Sequence, residues 1–181
     1  MGRDKTLLEL DGVPLFLRAA RRMAEVADPV ILAPGAPGRL GALGYAEVAD
    51  QVPDAGPLGA IVAGLAAAPH RLLAVVAADM PHASPAVMAL LARICTAQGP
   101  GPAWDAAVPV TGDGLQPLHA VFATSALASL RTALADGRLA MRDALADLRV
   151  AAVDAEAWRP ADPSERFADN INTRDDLALL A

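Results

Sequence analysis

Apolar and polar residues recur along the chain with two periods, and these periods predict alternating strands and helices. Apolar residues in 14–26 repeat every three or four positions, as on one face of a helix. Residues 72–78 (LLAVVAA) form an uninterrupted apolar run, typical of a strand covered on both faces. The full prediction has strands at 29–33, 45–49, 72–78, 106–110, 118–122 and 150–153, and helices at 14–26, 58–68, 85–97, 126–135, 140–148 and 174–180. This alternation indicates one α/β domain over residues 1–181, with a largely parallel sheet between two layers of helices.

Composition and charge exclude several classes of protein. Hydrophobic residues make up 54% of the chain and charged residues 20%, a balance that excludes intrinsic disorder. A net charge of −6 opposes non-specific binding to nucleic acid. Cys95 is the single cysteine, and no uncharged stretch reaches the roughly 20 residues that a membrane-spanning helix needs. We therefore expect a cytoplasmic protein that binds neither nucleic acid nor a membrane.

Two aspartates follow predicted strands, at the sheet edge where α/β proteins bind their ligands. Asp79 comes directly after residues 72–78, where a carboxylate can hold Mg²⁺ that bridges phosphates. A cap on the following helix is the alternative role for Asp79. Asp50 follows the weaker strand 45–49, and Asp54 competes with it for the same role.

Two further features suit an anionic ligand. Lys5 is the single lysine among 15 lysines and arginines, which favours a role for its compact charge, although chance survival is the alternative. Residues Gly56, Pro57 and Leu58 open a helix, where free N–H groups and the helix dipole attract anions. A plain tight turn explains the same residues equally well.

Polar residues in the second half of the chain are candidate substrate contacts. His119 lies near the start of the predicted strand 118–122, where a neutral, hydrogen-bonded histidine is the structural alternative. Asn170 and Asn172 are two positions apart, so that in an extended segment both amides face the same way. Local turn bonding by the asparagines is the alternative. No serine or cysteine has a base at the spacing of a hydrolase triad.

A series of short motifs resembles the molybdenum cofactor guanylyltransferases, which have the nucleotide-diphospho-sugar transferase fold. In chain order these motifs are residues 2–8 (GRDKTLL), 12–15 (GVPL), Asp50, residues 56–59 (GPLG), 78–81 (ADMP), 117–122 (PLHAVF) and 167–173 (FADNINT). Each motif is weak alone, but together they run in the family's order along essentially the whole chain. The resemblance implies a three-layer Rossmann-like α/β fold with a mostly parallel sheet.

The resemblance also implies an activity and a role for each candidate residue. The family uses Mg²⁺ to transfer GMP from GTP to the terminal phosphate of molybdopterin, and it releases pyrophosphate. GTP, molybdopterin or molybdenum cofactor, and cofactor-delivery proteins are therefore the expected partners. By this resemblance Lys5 contacts the nucleotide phosphates, Asp79 holds the metal and Asp50 contacts the nucleotide. The remaining residues implied at the site are Asn172 in catalysis, and Gly56, Pro57, Leu58, His119 and Asn170 on the substrate side.

The sequence departs from the family's pattern at two places. The family's first strand and its glycine-rich loop, which precede the Met-Gly motif, are absent from this sequence. We expect that the native chain starts upstream of Met1, and that the 181-residue chain alone is poorly stable or oligomeric. A non-catalytic remnant is the alternative. Ala33 and Pro34 stand where many relatives place an asparagine, so a CTP-dependent transfer to the same pterin also stays open.

Overall fold

The first elements of the chain are a short hairpin and a helix. The computed structural model describes residues 8–35, 44–97, 103–171 and 176. Strands β1 (Glu9–Leu10) and β2 (Val13–Pro14) pair antiparallel across Asp11 and Gly12, whose φ angles are 54° and 73°. Positive φ at both turn positions is what a two-residue hairpin of type I′ requires. The hairpin leads directly into helix α1 (Leu15–Met23).

The next elements build a pair of strands and a crossover. Strands β3 (Ile31–Gly35) and β4 (Ala46–Ala49) pair in parallel. Helix α2 (Gly56–Ala67) connects β4 to strand β5 (Leu72–Val76). This helix contacts β3, β4 and β5.

The rest of the chain supplies most of the larger sheet and the helices that cover it. Helix α3 begins after Ser84, whose hydroxyl accepts a hydrogen bond from the N–H of Val87 at 3.4 Å. The remaining elements are α3 (Pro85–Thr96), β6 (Ala106–Thr111), β7 (Gly114–Leu115), β8 (His119–Ala123), α4 (Leu127–Ala135), α5 (Met141–Leu145), β9 (Val150–Val153) and α6 (Ala155–Trp158). Short 3₁₀ turns at Thr124–Ala126 and Arg166–Ala168 complete the described structure. None of the helices in the described ranges has the length and apolar character needed to cross a membrane.

The larger sheet is mixed, because one of its central strands is reversed. β8 lies between β5 and β6 and pairs antiparallel with both, whereas β9 pairs in parallel with the other edge of β6. The short connection through β7 only reverses the chain after β6, and a parallel return would need a longer crossover. Our prediction of a largely parallel sheet is therefore corrected at β8.

Helices cover both faces of the larger sheet, as a three-layer fold requires. Ala106 and Val108 of β6 face a core with α2, α4 and α5, while Ala107 between them faces α3. This alternation has the period of a strand that is covered on both sides. The α3 side also contains Trp158 and Phe167, whose rings meet edge to face at 5.0 Å.

A cavity of about 530 Å³ separates the β3–β4 pair from the larger sheet. Every residue of 72–78 lines this cavity, rather than every second one, so the cavity faces the edge of β5. Residues 29–34, which include most of β3, line it in the same continuous way. Within the described part of the chain, β3 pairs only with β4 and β5 only with β8. We call this cavity the β3–β5 slot.

The structure confirms most of the predicted elements and moves some of their ends. β9 has the predicted bounds, and β4, α3 and α4 agree within one or two residues. β3 lies two residues later than predicted, and α5 is shorter. The β1–β2 hairpin, β7 and α6 were not predicted, because elements of two to four residues show no hydrophobic period. Of the predicted helix at 174–180, only Asp176 lies within the described residues.

Candidate active site

Asp79 lies in a tight turn just beyond the carboxyl end of β5. The N–H of Met80 donates to the carbonyl of Ala77 at 3.2 Å, and the N–H of Ala83 donates to the carbonyl of Met80 at 3.2 Å. Met80 is 1% exposed and anchors the turn in the core, while Asp79 itself is half-buried. No side chain among the described residues pairs with the Asp79 carboxylate, which is therefore free to bind a ligand.

The backbone of Asp79 joins this turn to the segment that carries Asn170. The N–H of Ile171 donates to the carbonyl of Asp79 at 2.9 Å, and the Ile171 side chain packs with Leu10 and Leu15. Asn170 is exposed beside this contact. Asn170 is thus the neighbour in sequence of the residue that contacts the Asp79 backbone, and a shared site of Asp79 and Asn170 stays a prediction. Lys5 and Asn172 lie outside the described residues.

His119 contacts both the end of the Asp79 turn and the segment that precedes Asn170. Its side chain is 0% exposed, its Nε2 accepts a hydrogen bond from the N–H of Ser84 at 3.0 Å, and its ring lies 4.7 Å from that of Phe167. Burial lowers the pKa of His119 to about 4, so the ring is neutral at pH 7. The imidazole thus connects the end of the Asp79 turn to the segment before Asn170. The predicted direct contact with substrate would require this packing to open.

Asp50 follows β4 and is held between two glycines. A Cβ built on Gly35 or on Gly59 would lie 3.8 Å from Asp50 Oδ2, so the carboxylate rests against bare backbone. Asp50 Oδ1 is buried and has no hydrogen-bond partner among the described residues. Burial raises the pKa of this carboxyl. An unpartnered buried oxygen of this kind is suited to accept hydrogen bonds from a bound ligand.

The first turn of α2 lies next to Asp50 through Gly59. Gly56 and Pro57 are exposed, whereas the Leu58 side chain is 0% exposed and belongs to the core. Any contact from Leu58 to a substrate would therefore come from its backbone N–H, and Pro57 has no N–H to donate. A methyl group on Gly59 would lie 2.7 Å from the Cβ of Ala55, so the turn requires glycine there.

Basic side chains around the Asp79 turn were not among the predicted site residues. The Nε of Arg22 donates to the carbonyl of Ala83, and Arg166 pairs with Asp169 at 3.2 Å. Burial lowers the pKa of His82, and the positive charge of Arg166 lowers it further. These arginines lie far apart in sequence, at positions 22 and 166, so no local motif marks them. The charge of Asp169, the partner of Arg166, acts on His82 in the opposite direction and raises its pKa.

The donor chemistry at this edge fits Mg²⁺. Carboxylate oxygens such as those of Asp79 and Asp50 are hard ligands, and Mg²⁺ is commonly held by one or two carboxylates together with substrate phosphates and water. In residues 8–35, 44–97 and 103–171, no three histidine, cysteine or carboxylate side chains gather around a common point. This arrangement suits an ion that arrives with its phosphate ligand better than one held in an all-protein cage.

Comparisons with known proteins extend the likeness over the whole chain. The family model of the MobA-like NTP transferase domain matches residues 1–153. A probable molybdenum cofactor guanylyltransferase from Chloroflexus aggregans is 35% identical, over 99% of this chain and 86% of the relative. Molybdopterin-guanine dinucleotide biosynthesis protein A from Archaeoglobus fulgidus is a similar solved structure, with a TM-score of 0.83 at 26% identity over 98% of this chain and 89% of that one.

A third similarity concerns the fold alone. The 2-C-methyl-D-erythritol 4-phosphate cytidylyltransferase from Thermus thermophilus has a TM-score of 0.64 at 22% identity, and the match covers 97% of this chain and 91% of that one. The resemblance indicated by the motifs and the Rossmann-like α/β fold class are both confirmed by these likenesses.

Proposed function

The chain belongs to the MobA-like NTP transferase domain family, and from this membership we propose that it transfers GMP from GTP to the terminal phosphate of molybdopterin. In this reaction an oxygen of the pterin phosphate forms a bond to the α-phosphorus of GTP. The bond from that phosphorus to the bridging β-phosphate oxygen breaks, and pyrophosphate leaves with the electron pair. The observation that carries the proposal is the 35% identity to a probable guanylyltransferase over 99% of the chain.

The geometry supports this proposal because such a transfer depends on positioning and charge rather than on a protein nucleophile. With respect to the described residues, Asp79 presents a half-buried carboxylate without a side-chain partner beyond β5, and Asp50 presents a buried oxygen without a hydrogen-bond partner beyond β4. Asp79 would hold Mg²⁺, which when bound offsets the negative charge of the nucleotide phosphates. Asp50 would accept hydrogen bonds from the nucleotide.

The family's pattern gives the remaining roles. Lys5 would contact the phosphates and offset the charge that develops at the α-phosphate. Asn170, beside Asp79, would bind on the pterin side, and Asn172 would assist the transfer. The first-turn N–H groups of α2 and the neutral His119 support the same edge of the sheet, the latter by holding Ser84 and Phe167 in place.

Two other functions are alternatives to this one, and the experiment described below distinguishes them. A CTP-dependent transfer to the same pterin would use the same carboxylates, and a non-catalytic remnant would keep the fold without turnover. We also propose a cytoplasmic location and contact with cofactor-delivery proteins, since the product must pass to another protein.

The test is pyrophosphate release with molybdopterin, Mg²⁺ and either GTP or CTP. We expect release with GTP, and a loss of about 100-fold or more in rate for Asp79→Asn and for Lys5→Ala. Glu156→Gln, at an exposed carboxylate of α6, is the matched control and leaves the rate unchanged. Release with CTP alone would establish the cytidylyltransferase. No release with either nucleotide, from a chain shown to be folded, would establish the remnant.

A further inference from the structure

The side-chain amide of Gln116, which follows β7, is fixed in one orientation. Its Nε2 lies 2.8 Å from the hydroxyl oxygen of Thr111 and 3.3 Å from the carbonyl oxygen of Gly114. Because a carbonyl oxygen only accepts hydrogen bonds, the amide atom that faces Gly114 must be the nitrogen. Both N–H groups of the amide are therefore used inside the hairpin of β6 and β7.

The backbone of Gln116 is held on both sides as well. Its N–H donates to the carbonyl of Pro109 in β6 at 2.9 Å, and its carbonyl accepts from the N–H of His119 in β8 at 3.1 Å. Gln116 thus joins β6 to β8 at the point where the chain reverses. A side chain on so rigid a support holds a ligand without first having to order a loop.

The oxygen of the same amide is free to accept a hydrogen bond. Within the described part of the chain, no group donates to Oε1 of Gln116, and the residue is half-buried. Since both N–H groups are engaged, the side chain presents an acceptor and no free donor. Such a group binds an N–H or O–H donor and offers nothing to a phosphate oxygen, which is itself an acceptor.

Gln116 and Asp79 lie at the same edge of the larger sheet, on neighbouring strands. The N–H of Ala77 donates to the carbonyl of Leu118 at 2.9 Å, which continues the pairing of β5 with β8 by one residue. Asp79 follows Ala77 by two residues, and Gln116 precedes Leu118 by two. Because neighbouring strands are about 5 Å apart, these two residues border the same stretch of the edge.

The order of the strands relates Gln116 to one of the two substrates. Asp50, the proposed nucleotide contact, follows β4, on the side of β5 that faces the β3–β5 slot. Gln116 lies on the other side of β5, where β8 pairs with it. The attacking and leaving oxygens of a phosphoryl transfer stand roughly in line, on opposite sides of the phosphorus. With the nucleotide on the Asp50 side of Asp79, the acceptor substrate lies on the Gln116 side.

The segment from Trp158 to Ile171 spans the same stretch of the edge. At one end, Nε1 of Trp158 donates at 2.9 Å to the carbonyl of Val110, the residue that pairs with Leu115. At the other end, the N–H of Ile171 donates to the carbonyl of Asp79 at 2.9 Å. Gln116 follows Leu115, so the segment is tied down beside Gln116 and again at Asp79. A hydrogen bond made next to such a segment is partly shielded from water, which strengthens it.

We propose that Gln116 is a specificity-determining residue for the acceptor substrate, whose N–H or O–H group donates a hydrogen bond to Oε1. The proposal rests on the proposed function for the identity of that substrate, molybdopterin, and the N–H groups of a pterin ring are donors of this kind. Thr111 is a positioning residue, because it holds the amide in the orientation that presents Oε1.

The first experiment compares the kinetics of Gln116→Met with those of the unchanged protein. Methionine is an unbranched side chain of similar length that has no acceptor oxygen. We expect the KM for molybdopterin to rise about tenfold, because the donor of the substrate loses its partner, while the KM for GTP and kcat stay the same. Equal values of the KM for molybdopterin in the two proteins would overturn the proposal, as would an equal rise in both KM values.

Two variants of the same hairpin separate this role from a structural one. Thr111→Val removes an anchor of the amide but keeps Oε1, so it should raise the KM for molybdopterin less than Gln116→Met does. An equal or larger effect of Thr111→Val would assign Gln116 to the structure of the hairpin alone. Asp113→Asn, at the exposed tip of the hairpin, is the matched control and should leave both KM values unchanged.

Equilibrium titration with molybdopterin, without nucleotide, keeps this proposal separate from the proposed activity. We expect the Kd to rise about tenfold in Gln116→Met. This rise, in a protein that releases no pyrophosphate from GTP or CTP, would contradict the proposed function and support the contact. Turnover of GTP with an unaltered Kd would support the function and overturn the contact. A change confined to the Mg²⁺ concentration that gives half the maximal rate would assign Oε1 to the metal and also overturn the proposal.

Discussion

The larger sheet and the β3–β4 pair differ in how completely their strands are covered. The first four residues of β6 and of β8 are all buried, and each of these strands has a neighbour on both edges. The residues of β5 are all half-buried, and in β3 and β4 only Pro34 is buried. Burial therefore falls steadily from the centre of the larger sheet towards the slot.

This difference divides the candidate site between the two regions. Asp79 extends from β5 of the larger sheet, whereas Asp50 extends from β4 of the smaller pair. Helix α2 spans the gap, because it contacts β3, β4 and β5. The separation of the two carboxylates therefore depends on α2, and the more completely buried strands lie in the larger sheet.

Truncation of one side chain in each region should produce the largest contrast. Phe122→Ala removes a ring that is 0% exposed in β8, and we expect a loss of about 4 kcal/mol in the free energy of unfolding. Ile31→Ala, at the slot edge of β3, should cost roughly 1 kcal/mol because this side chain is only half-buried. Chemical denaturation measures both. Equal costs for the two variants in the 181-residue chain would mean that the smaller pair is as well packed as the larger sheet.

His119 makes the larger sheet sensitive to mild acid. Its pKa is lowered by burial to about 4, while the unfolded chain has the ordinary value near 6.5. The unfolded state therefore binds more protons between these values, so stability is fully present above pH 6.5 and declines as the pH falls towards 4. The expected loss is about 3 kcal/mol.

A substitution isolates this contribution. His119→Gln should flatten the dependence of the free energy of unfolding on pH between 6.5 and 4, whatever its effect on stability at pH 7. Some slope will remain, because burial also lowers the pKa of His82. The control is His70→Gln, at an exposed histidine, which should keep the full slope. An unchanged slope in His119→Gln would remove the buried imidazole from this explanation.

The ion pair between Asp105 and Arg149, which precede β6 and β9, should have a smaller effect on stability, and this effect should appear at lower pH. Hydrogen bonds from the Arg149 side chain at 2.8 and 2.7 Å, with one from Ser125 at 2.6 Å, lower the pKa of Asp105 to about 2. The stability that this lowered pKa contributes is present above the ordinary pKa of 3.8 and is lost as the pH falls towards 2. Arg149→Leu should cost about 2 kcal/mol at pH 7 and weaken the acid dependence.

The matched control for this pair is another arginine. The Arg142 side chain is 92% exposed and lies 3.6 Å from Asp143, so Arg142→Leu should change stability by less than about 0.5 kcal/mol. If Arg142→Leu and Arg149→Leu reduced the free energy of unfolding equally, the burial of Asp105 would add nothing to the strength of its ion pair.

The hydrophobic pattern predicts the part of the fold that is covered by its own helices. β9 and α3 were predicted almost to the residue because apolar runs with clear turn and cap residues define them. Asp79 and Asp50 were predicted for the related reason that ligand-binding residues follow the strands. The motifs added Asn170, which has no period of its own, and the structure places it beside Asp79.

The features that the sequence did not predict depend on contacts between distant residues. Asp105 and Arg149 are 44 positions apart, and no local pattern joins them. The direction of β8 depends on a short connection that reverses the chain, which a strand pattern alone does not encode. His119 is the neutral, hydrogen-bonded histidine that the sequence analysis gave as the alternative, and the strand period agrees with its burial, because His119 shares a strand face with Val121, two residues later, in the α3 core.

The cap of α3 should give the smallest effect, and it separates two roles of one residue. The Ser84 hydroxyl accepts from Val87 N–H at 3.4 Å, while its backbone N–H donates to His119 at 3.0 Å. Ser84→Ala removes only the first bond, so we expect a loss of about 1 kcal/mol with the pH dependence due to His119 intact. Thr96→Ala, at an exposed residue at the other end of α3, is the control and should cost less. Loss of the pH dependence in Ser84→Ala would mean that the cap, rather than the backbone bond, positions the imidazole.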